Sequence, residues 1–246
     1  MRLKDAVAII TGAGRGIGRA AALRFGVEGA RVAVLDIDAG AAAGTAAEII
    51  AAGGRALGLR VDVTQAAAVA ETFAQVLAWG ARIDVLVNNA GITRDARLLK
   101  MTEEQWDAVI SVNLKGTWLC GRAAAAQMVA QGSGSIINVS SIVGVYGNFG
   151  QSNYAATKGG VIAMSKTWAR ELGPAGVRCN VVAPGFIATE MTQSIPERVI
   201  TQVIERTPLR RMGTPEELAA VYVFLASDDA AFVNGAVIGV DGGLVA

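Results

Sequence analysis

Short β-branched runs alternate along this chain with longer, Ala-rich stretches, and no other feature constrains the fold as much. The strand-like runs are AVAIIT (6–11), RVAVLD (31–36), ALGLRVD (56–62), IDVLVN (83–88), SIINVS (135–140), VRCNVVA (177–183) and AVIGV (236–240). Most are apolar at odd and even positions alike, as expected of parallel strands covered on both faces. The intervening runs are long enough for crossover helices, and two carry start signals. Thr214-Pro215-Glu216-Glu217 combines a capping Thr, Pro at the first helical position and Glu three residues after the Thr, and Thr102 with Gln105 repeats that logic. No linker, repeat or charge block divides the 246 residues, and a hydrophobic content of 52% is enough for one core. The expectation is a single α/β domain spanning residues 1–246, doubly wound, with a seven-stranded parallel sheet and helices on both faces. Residues 186–212 are polar, punctuated by Pro and without a strand, so a substrate lid is expected there.

The formal net charge of +1 offers no electrostatic case for nucleic acid or an anionic membrane as partner. The N-terminal MRLKDAVAIITGAG is too short and too early in glycine to be a signal or spanning segment, and no run of about 18 apolar residues follows. A soluble, cytoplasmic protein is the expectation. Cys120 and Cys179 have no ligand-like spacing and are expected to be packed thiols in a reducing compartment. With no histidine in the chain and only these two separated cysteines, no catalytic metal is expected.

AVAIITGAGRGIGRAAALRFG reads as a strand, a glycine-rich turn and a helix, the start of a Rossmann-type domain. Gly12, Gly14, Gly16 and Gly18, with Arg15 and Ile17 between them, allow a sharp turn and close approach of the backbone to a pyrophosphate at the helix N-terminus. The spacing is not GxGxxG, and a glycine-rich turn by itself is weak evidence; its place between a first strand and an Ala-rich helix points to dinucleotide binding. Asp36 closes the second strand, where a carboxylate accepts hydrogen bonds from ribose hydroxyls and repels a 2′-phosphate. Arg15 pulls the other way, since it can pair with that phosphate. NAD(H) is therefore preferred, with NADP(H) possible. Asp62, followed by Val63, can meet the adenine, and Asn88-Asn89-Ala90-Gly91 suits a close backbone approach; either is equally simple strand-to-loop punctuation.

In QSNYAATKGG, Tyr154 and Lys158 stand at helical spacing i, i+4 and share one face. A free phenol ionises near pH 10 and is a poor base at neutrality. A nearby ammonium, joined by the positive charge of an oxidised nicotinamide, favours the phenolate. The spacing alone proves little. Ser141, or equally Ser140 as a turn start, ends the fifth strand thirteen residues before Tyr154 (Ser141 to Tyr154), and Asn113 lies in a long helical run with Ser111. All these positions lie toward the carboxyl ends of strands, the usual ligand crevice.

The set TGAGRGIG, NNAG, Asn113, Ser141, YAATK and PGFIAT, in that order and continuing to VDGG, resembles the short-chain dehydrogenase/reductases over essentially the whole chain. NNAGITRD, NYAATKGG and NVVAPGFIATEMT look most like the 3-oxoacyl-(acyl-carrier-protein) reductase branch. The resemblance implies that Tyr154 is general acid in reduction and base in oxidation. It implies that Lys158 lowers the phenol's pKa and holds the nicotinamide ribose, that Ser141 hydrogen-bonds the substrate oxygen, and that Asn113 orders a water leading from Lys158 to solvent. Pro184, Gly185, Ile187 and Thr189 would position the nicotinamide. A homotetramer is implied through the helices bearing Asn113 and Tyr154 and the last strand.

Two features depart from the carrier-protein branch. MVAQGSGS (128–135) is uncharged where basic residues are expected, although Arg170 remains, and Asp36 disfavours NADPH. The preferred reading is an NAD(H)-linked reductase of a 3-oxoacyl thioester or similar β-keto compound, with docking of an acyl carrier protein left open. The alternatives are an NAD-linked secondary-alcohol, polyol or hydroxysteroid dehydrogenase, an NADPH-linked biosynthetic reductase, and a cofactor-binding regulator without turnover. Val143, Asn148 and Gln151, with Ser141 and Tyr154, are the expected substrate contacts. Tyr146 and Phe149 fit the pocket or a subunit contact equally well.

Overall fold

The computed structural model describes residues 1–193 and 197–244. Strands and helices alternate as β1 (Val7–Thr11), α1 (Gly16–Val27), β2 (Arg31–Asp36), α2 (Ala39–Ala51), β3 (Arg55–Arg60), α3 (Ala66–Gly80) and β4 (Val85–Asn88). The chain continues with α4 (Glu103–Val109), α5 (Thr117–Gln131), β5 (Gly134–Val139), α6 (Val143–Tyr146), α7 (Ser152–Leu172) and β6 (Val177–Pro184). It ends with α8 (Glu190–Gln193), α9 (Glu197–Arg206), α10 (Pro215–Ala226) and β7 (Val237–Val240). The strands form one parallel seven-stranded sheet in the order β3-β2-β1-β4-β5-β6-β7.

The two-sided apolar pattern is used as the physics requires. Along β1, Ala8 and Ile10 enter the layer shared with α1, α2 and α10, while Val7 and Ile9 enter the layer shared with α3, α5 and α7. β7, at the sheet edge, is only partly covered, with Val237 exposed. Both capping boxes form: Thr102 and Gln105 start α4, and Thr214 and Glu217 start α10. Cys120 and Cys179 are free and buried, and burial pushes each thiol up to about 12. Among the described residues no helix is long and apolar enough to cross a membrane.

Three expectations need correction. β3 stops at Arg60, so Asp62 lies beyond it rather than ending it, and β4 starts at Val85 rather than at residue 83. Asn113 does not sit in a continuous α-helix. It lies in a π-helical stretch, Ile110–Gly116, joining α4 to α5, and its side chain is fully buried. Residues 186–212 hold no strand, as expected; they contain α8 and α9, and α9 has no buried residue. Residues 194–196 of that stretch lie outside the described residues.

Sheet order now places the crevice. β1 has β2 on one side and β4 on the other, so successive crossovers run in opposite directions from it. The loops after β1 and β4 diverge and leave an opening at the strands' carboxyl ends.

Candidate active site

The loop after β1 is shaped by its glycines. Gly12 has φ +62°, and a Cβ there would meet Ala90 Cα at 2.9 Å. A Cβ on Gly18 would stand 2.1 Å from the Gly12 carbonyl oxygen. The loop therefore packs on itself and on the loop after β4 too closely for a Cβ at either position, and it leads into the first turn of α1. Arg15, the N-cap of that helix, contributes no side-chain cap. The N–H groups of a helix first turn without a side-chain cap, beside a glycine-rich loop, fit the pyrophosphate of a dinucleotide.

Asp36 is buried against this loop. Its carboxylate accepts from Gly14 N at 2.9 Å and from Asp38 N at 3.1 Å, whereas the Arg15 side chain is exposed. Asp38 caps α2 through Gly40 N and Ala41 N. Asp62 accepts from Thr64 N (2.9 Å) and Thr64 Oγ1 (2.7 Å), a local turn, and Val63 is buried against Gly116.

Thr11, which the sequence did not single out, ties the two crevice loops together. Its hydroxyl accepts from Asn89 N and Ala90 N, each at 3.1 Å, and Asn89 Nδ2 donates back to the carbonyls of Thr11 and Gly12, each at 3.1 Å. Asn88 is turned into the sheet, where its Nδ2 donates to Asn138 Oδ1 at 2.8 Å. The second asparagine of NNAG thus binds the glycine loop, and the first braces β4 against β5. Gly91 faces the chemistry: a Cβ there would lie 3.3 Å from Asn113 Oδ1 and 3.6 Å from Lys158 Nζ.

Tyr154, Lys158, Ser141 and Asn113 converge next to this opening. Tyr154 is on the first turn of α7 and Lys158 one turn later, with Nζ 5.6 Å from the phenol ring centroid. Lys158 Nζ donates to the Val139 carbonyl at 2.7 Å, and Ser140 Oγ to the Lys158 carbonyl at 2.8 Å. Ser141 is the serine that faces the phenol, and its Oγ also accepts from Val143 N at 3.1 Å. Ser140 faces α7 instead. Asn113 clamps the backbone of Ile92, accepting from Ile92 N at 2.8 Å and donating to Ile92 O at 2.9 Å. That amide is a brace for the loop after β4.

The electrostatics differ from expectation. Burial raises the Tyr154 phenol above its ordinary value; the hydrogen bond from Ser141 opposes this, and the Asp95 carboxylate adds to it. The Lys158 ammonium donates to the Val139 carbonyl and stands 5.6 Å from the ring centroid, and burial is the dominant influence on the phenol. Burial pulls Lys158 itself down to about 8, which still leaves it mostly charged at neutrality. The unfolded chain therefore binds more protons at this site than the folded chain between about pH 8 and 10.5. The burial penalty is complete below that window and relieved as pH rises through it. Comparing the cofactor-free protein with Lys158→Met by denaturant unfolding should show the parent gaining about 3 kcal/mol relative to the variant across that window.

The other expected contacts divide in two. Thr189 lies beside Gly16, with Thr189 Cγ2 3.8 Å from a Cβ placed there, so the segment after β6 reaches the glycine loop. Pro184 ends β6 and accepts from Ile142 N at 3.0 Å, and Gly185 is packed on Asp241. Ile187 is buried, and a short parallel bridge pairs it with Gly213. On the substrate side, Val143 is half-buried next to Ser141. Asn148 Nδ2 donates to Gln151 Oε1 at 2.8 Å, and Gln151 Nε2 to Asp95 Oδ2 at 2.9 Å. Tyr146 and Phe149 are exposed, with Arg97 stacked over the Phe149 ring at 5.2 Å.

A groove of about 1160 Å³ crosses the opposite, amino-terminal ends of the strands, lined by Arg31, Asp84 and Arg178 among others. It shares none of the residues above, so size does not identify the reactive site. Among the described residues no cluster of three or more acidic or cysteine side chains suits a metal ion.

Comparison with known proteins agrees with this arrangement. Residues 12–245 match the family model described as Enoyl-(Acyl carrier protein) reductase. A 3-oxoacyl-(acyl-carrier-protein) reductase of Thermotoga maritima is 51% identical over 245 residues, covering 100% of both chains. A (3R)-3-hydroxyacyl-CoA dehydrogenase of Canis lupus familiaris is 49% identical, covering 99% of this chain and 98% of its own. The crystal structure of a putative gluconate dehydrogenase from Agrobacterium tumefaciens superposes with a TM-score of 0.96 at 34% identity, over 99% of this chain and 98% of that one. With a matching fold and full-length relatives, this chain belongs to the short-chain dehydrogenase/reductase family of oxidoreductases.

Proposed function

We propose that the chain interconverts 3-oxoacyl and 3-hydroxyacyl thioesters with NAD(H), using Tyr154 as general acid in reduction and general base in oxidation. The observation that carries this reading is the Ser141–Tyr154 pair, with Lys158 buried behind it at the mouth of the crevice. The bound dinucleotide supplies or accepts the hydride. Gly12, Gly14, Gly16 and Gly18 hold its pyrophosphate and Asp36 its adenosine ribose. Asn89, Ala90, Gly91, Lys158 and the 184–189 segment frame its nicotinamide half.

In reduction, Ser141 Oγ donates a hydrogen bond to the substrate carbonyl oxygen, and the Tyr154 phenol delivers the proton to that oxygen as charge develops on it. In oxidation the phenol takes the hydroxyl proton back. A high phenol pKa suits the acid role, since the proton is held until the carbonyl oxygen becomes basic. The Lys158 ammonium steadies the phenolate left behind.

A 3-oxoacyl thioester is favoured over a polyol by the two full-length relatives named for such substrates, each about half identical to this chain. NAD(H) is favoured by Asp36, whose carboxylate is fixed over the glycine loop by Gly14 N and would repel a 2′-phosphate. The test is absorbance at 340 nm with acetoacetyl-CoA, an acetoacetyl carrier protein and gluconate-type polyols, each offered with both coenzymes. Consumption of NADH with the thioesters supports the proposal. Turnover only with polyols and NAD overturns the substrate, and preference for NADPH overturns the coenzyme. Asp36→Asn removes the charge and keeps an acceptor for Gly14 N or Asp38 N but not for both, since these use different carboxylate oxygens; kcat/KM with NADPH relative to NADH is expected to rise roughly tenfold.

A further inference from the structure

We propose that Asn153 is a positioning residue for the reaction: it locks the first turn of α7, which carries the Tyr154 phenol, to the loop after β4 that walls the crevice. The proposal rests on the assignment of Tyr154 as the acid.

The first turn of a helix has N–H groups without intrahelical partners, and the N-cap of α7, Gln151, supplies no side-chain cap. Asn153 fills that place. It is fully buried, and its Oδ1 accepts from Tyr154 N at 2.7 Å. Its Nδ2 donates to Arg94 O at 2.8 Å and Gln105 O at 3.1 Å. The orientation of the amide is determined by its neighbours, because one N–H and two carbonyls can be satisfied only this way round. One side chain thus joins α7, the loop after β4 and the body of α4.

The same loop is held on either side of Arg94. Asn113 clamps Ile92, and Ala96 N donates to Gly150 O at 2.9 Å. Between these points Asn153 is the buried contact that reaches the residue adjoining the phenol. Without it the first turn of α7 loses its cap and the loop loses its central tie. The phenol, carried on that turn, is then free to shift relative to Ser141 on the loop after β5. Displacement of a reacting group by about 1 Å costs on the order of a hundredfold in rate.

The experiment compares the full-length parent, Asn153→Ala and Asn153→Asp with acetoacetyl-CoA, after titrating binding sites by NADH fluorescence so that only folded, coenzyme-competent protein is counted. Asn153→Asp keeps the acceptor for Tyr154 N but presents oxygen, in place of N–H, to two carbonyls, so it breaks the tie to the loop while retaining the cap. The expected result is a fall in kcat of about 10- to 100-fold per NADH site for both variants, with KM and the NADH dissociation constant within about threefold of the parent. A purely structural role would lower the melting temperature and the number of sites but leave kcat per site unchanged, and that result overturns the proposal. If Asn153→Ala does not fold, Asn153→Asp alone decides. If Tyr154→Phe retains full activity, the assignment of the acid has failed, and that outcome is read independently of either Asn153 variant.

Discussion

Tyr154→Phe is expected to lower turnover by at least about a hundredfold in either direction while NADH still binds. The substitution removes one oxygen from a side chain that stands on a helix between Ser141 and Lys158, so packing is nearly unchanged and the proton route is lost. Water is a poor replacement, because it is not held in place beside Ser141 as the phenol is. NADH fluorescence titration and the 340 nm rate on the same preparation separate the two effects. Retained turnover would show that another group delivers the proton.

Gly18→Ala should also have a large effect, on coenzyme binding and stability rather than on the chemical step. The added Cβ would lie 2.1 Å from the Gly12 carbonyl oxygen and 2.6 Å from Asn89 Nδ2. The first neighbour is backbone and cannot swing aside, so the glycine loop must open or α1 must move. Either displaces the backbone groups that fit the pyrophosphate and strains the Asn89 ties to Thr11 and Gly12. NADH affinity is expected to fall by at least about tenfold, and stability by about 1–3 kcal/mol. Titration and thermal melting read these separately. Binding and melting at parent values would show that the loop relaxes freely and does not need glycine at this position.

The contrast between Asp36 and Asp62 shows how far a sequence pattern reaches. Both stand near the end of a strand, and both are reasonable ligands for an adenosine. The fold directs Asp36 onto Gly14, 22 positions away, whereas the Asp62 carboxylate is taken by Thr64, two residues on. Each carboxylate also accepts from the N–H two residues on, so what sets Asp36 apart is the glycine loop that packs above β2. Likewise, the candidate substrate residues Asn148 and Gln151 bind each other and Asp95, and that triad was invisible while Asp95 was only one more charged residue in a loop.

What the sequence determined by itself is local and periodic. Two-sided apolar runs required parallel strands, capping boxes started α4 and α10, glycines after the first strand required a side-chain-free turn, and i, i+4 spacing placed Tyr154 and Lys158 on one face. Each follows from a few adjacent residues and the geometry of a helix or strand. Tertiary structure alone decided the rest. The sheet order set the crevice between the loops after β1 and β4, Asn113 was buried within a π-helical stretch, and Thr11 met Asn89 across 78 residues. Asn153 met Arg94 across 59. Lys158 acquired its lowered pKa only on burial. These are long-range contacts and desolvation, properties of which segments are brought together, and no window of sequence contains them.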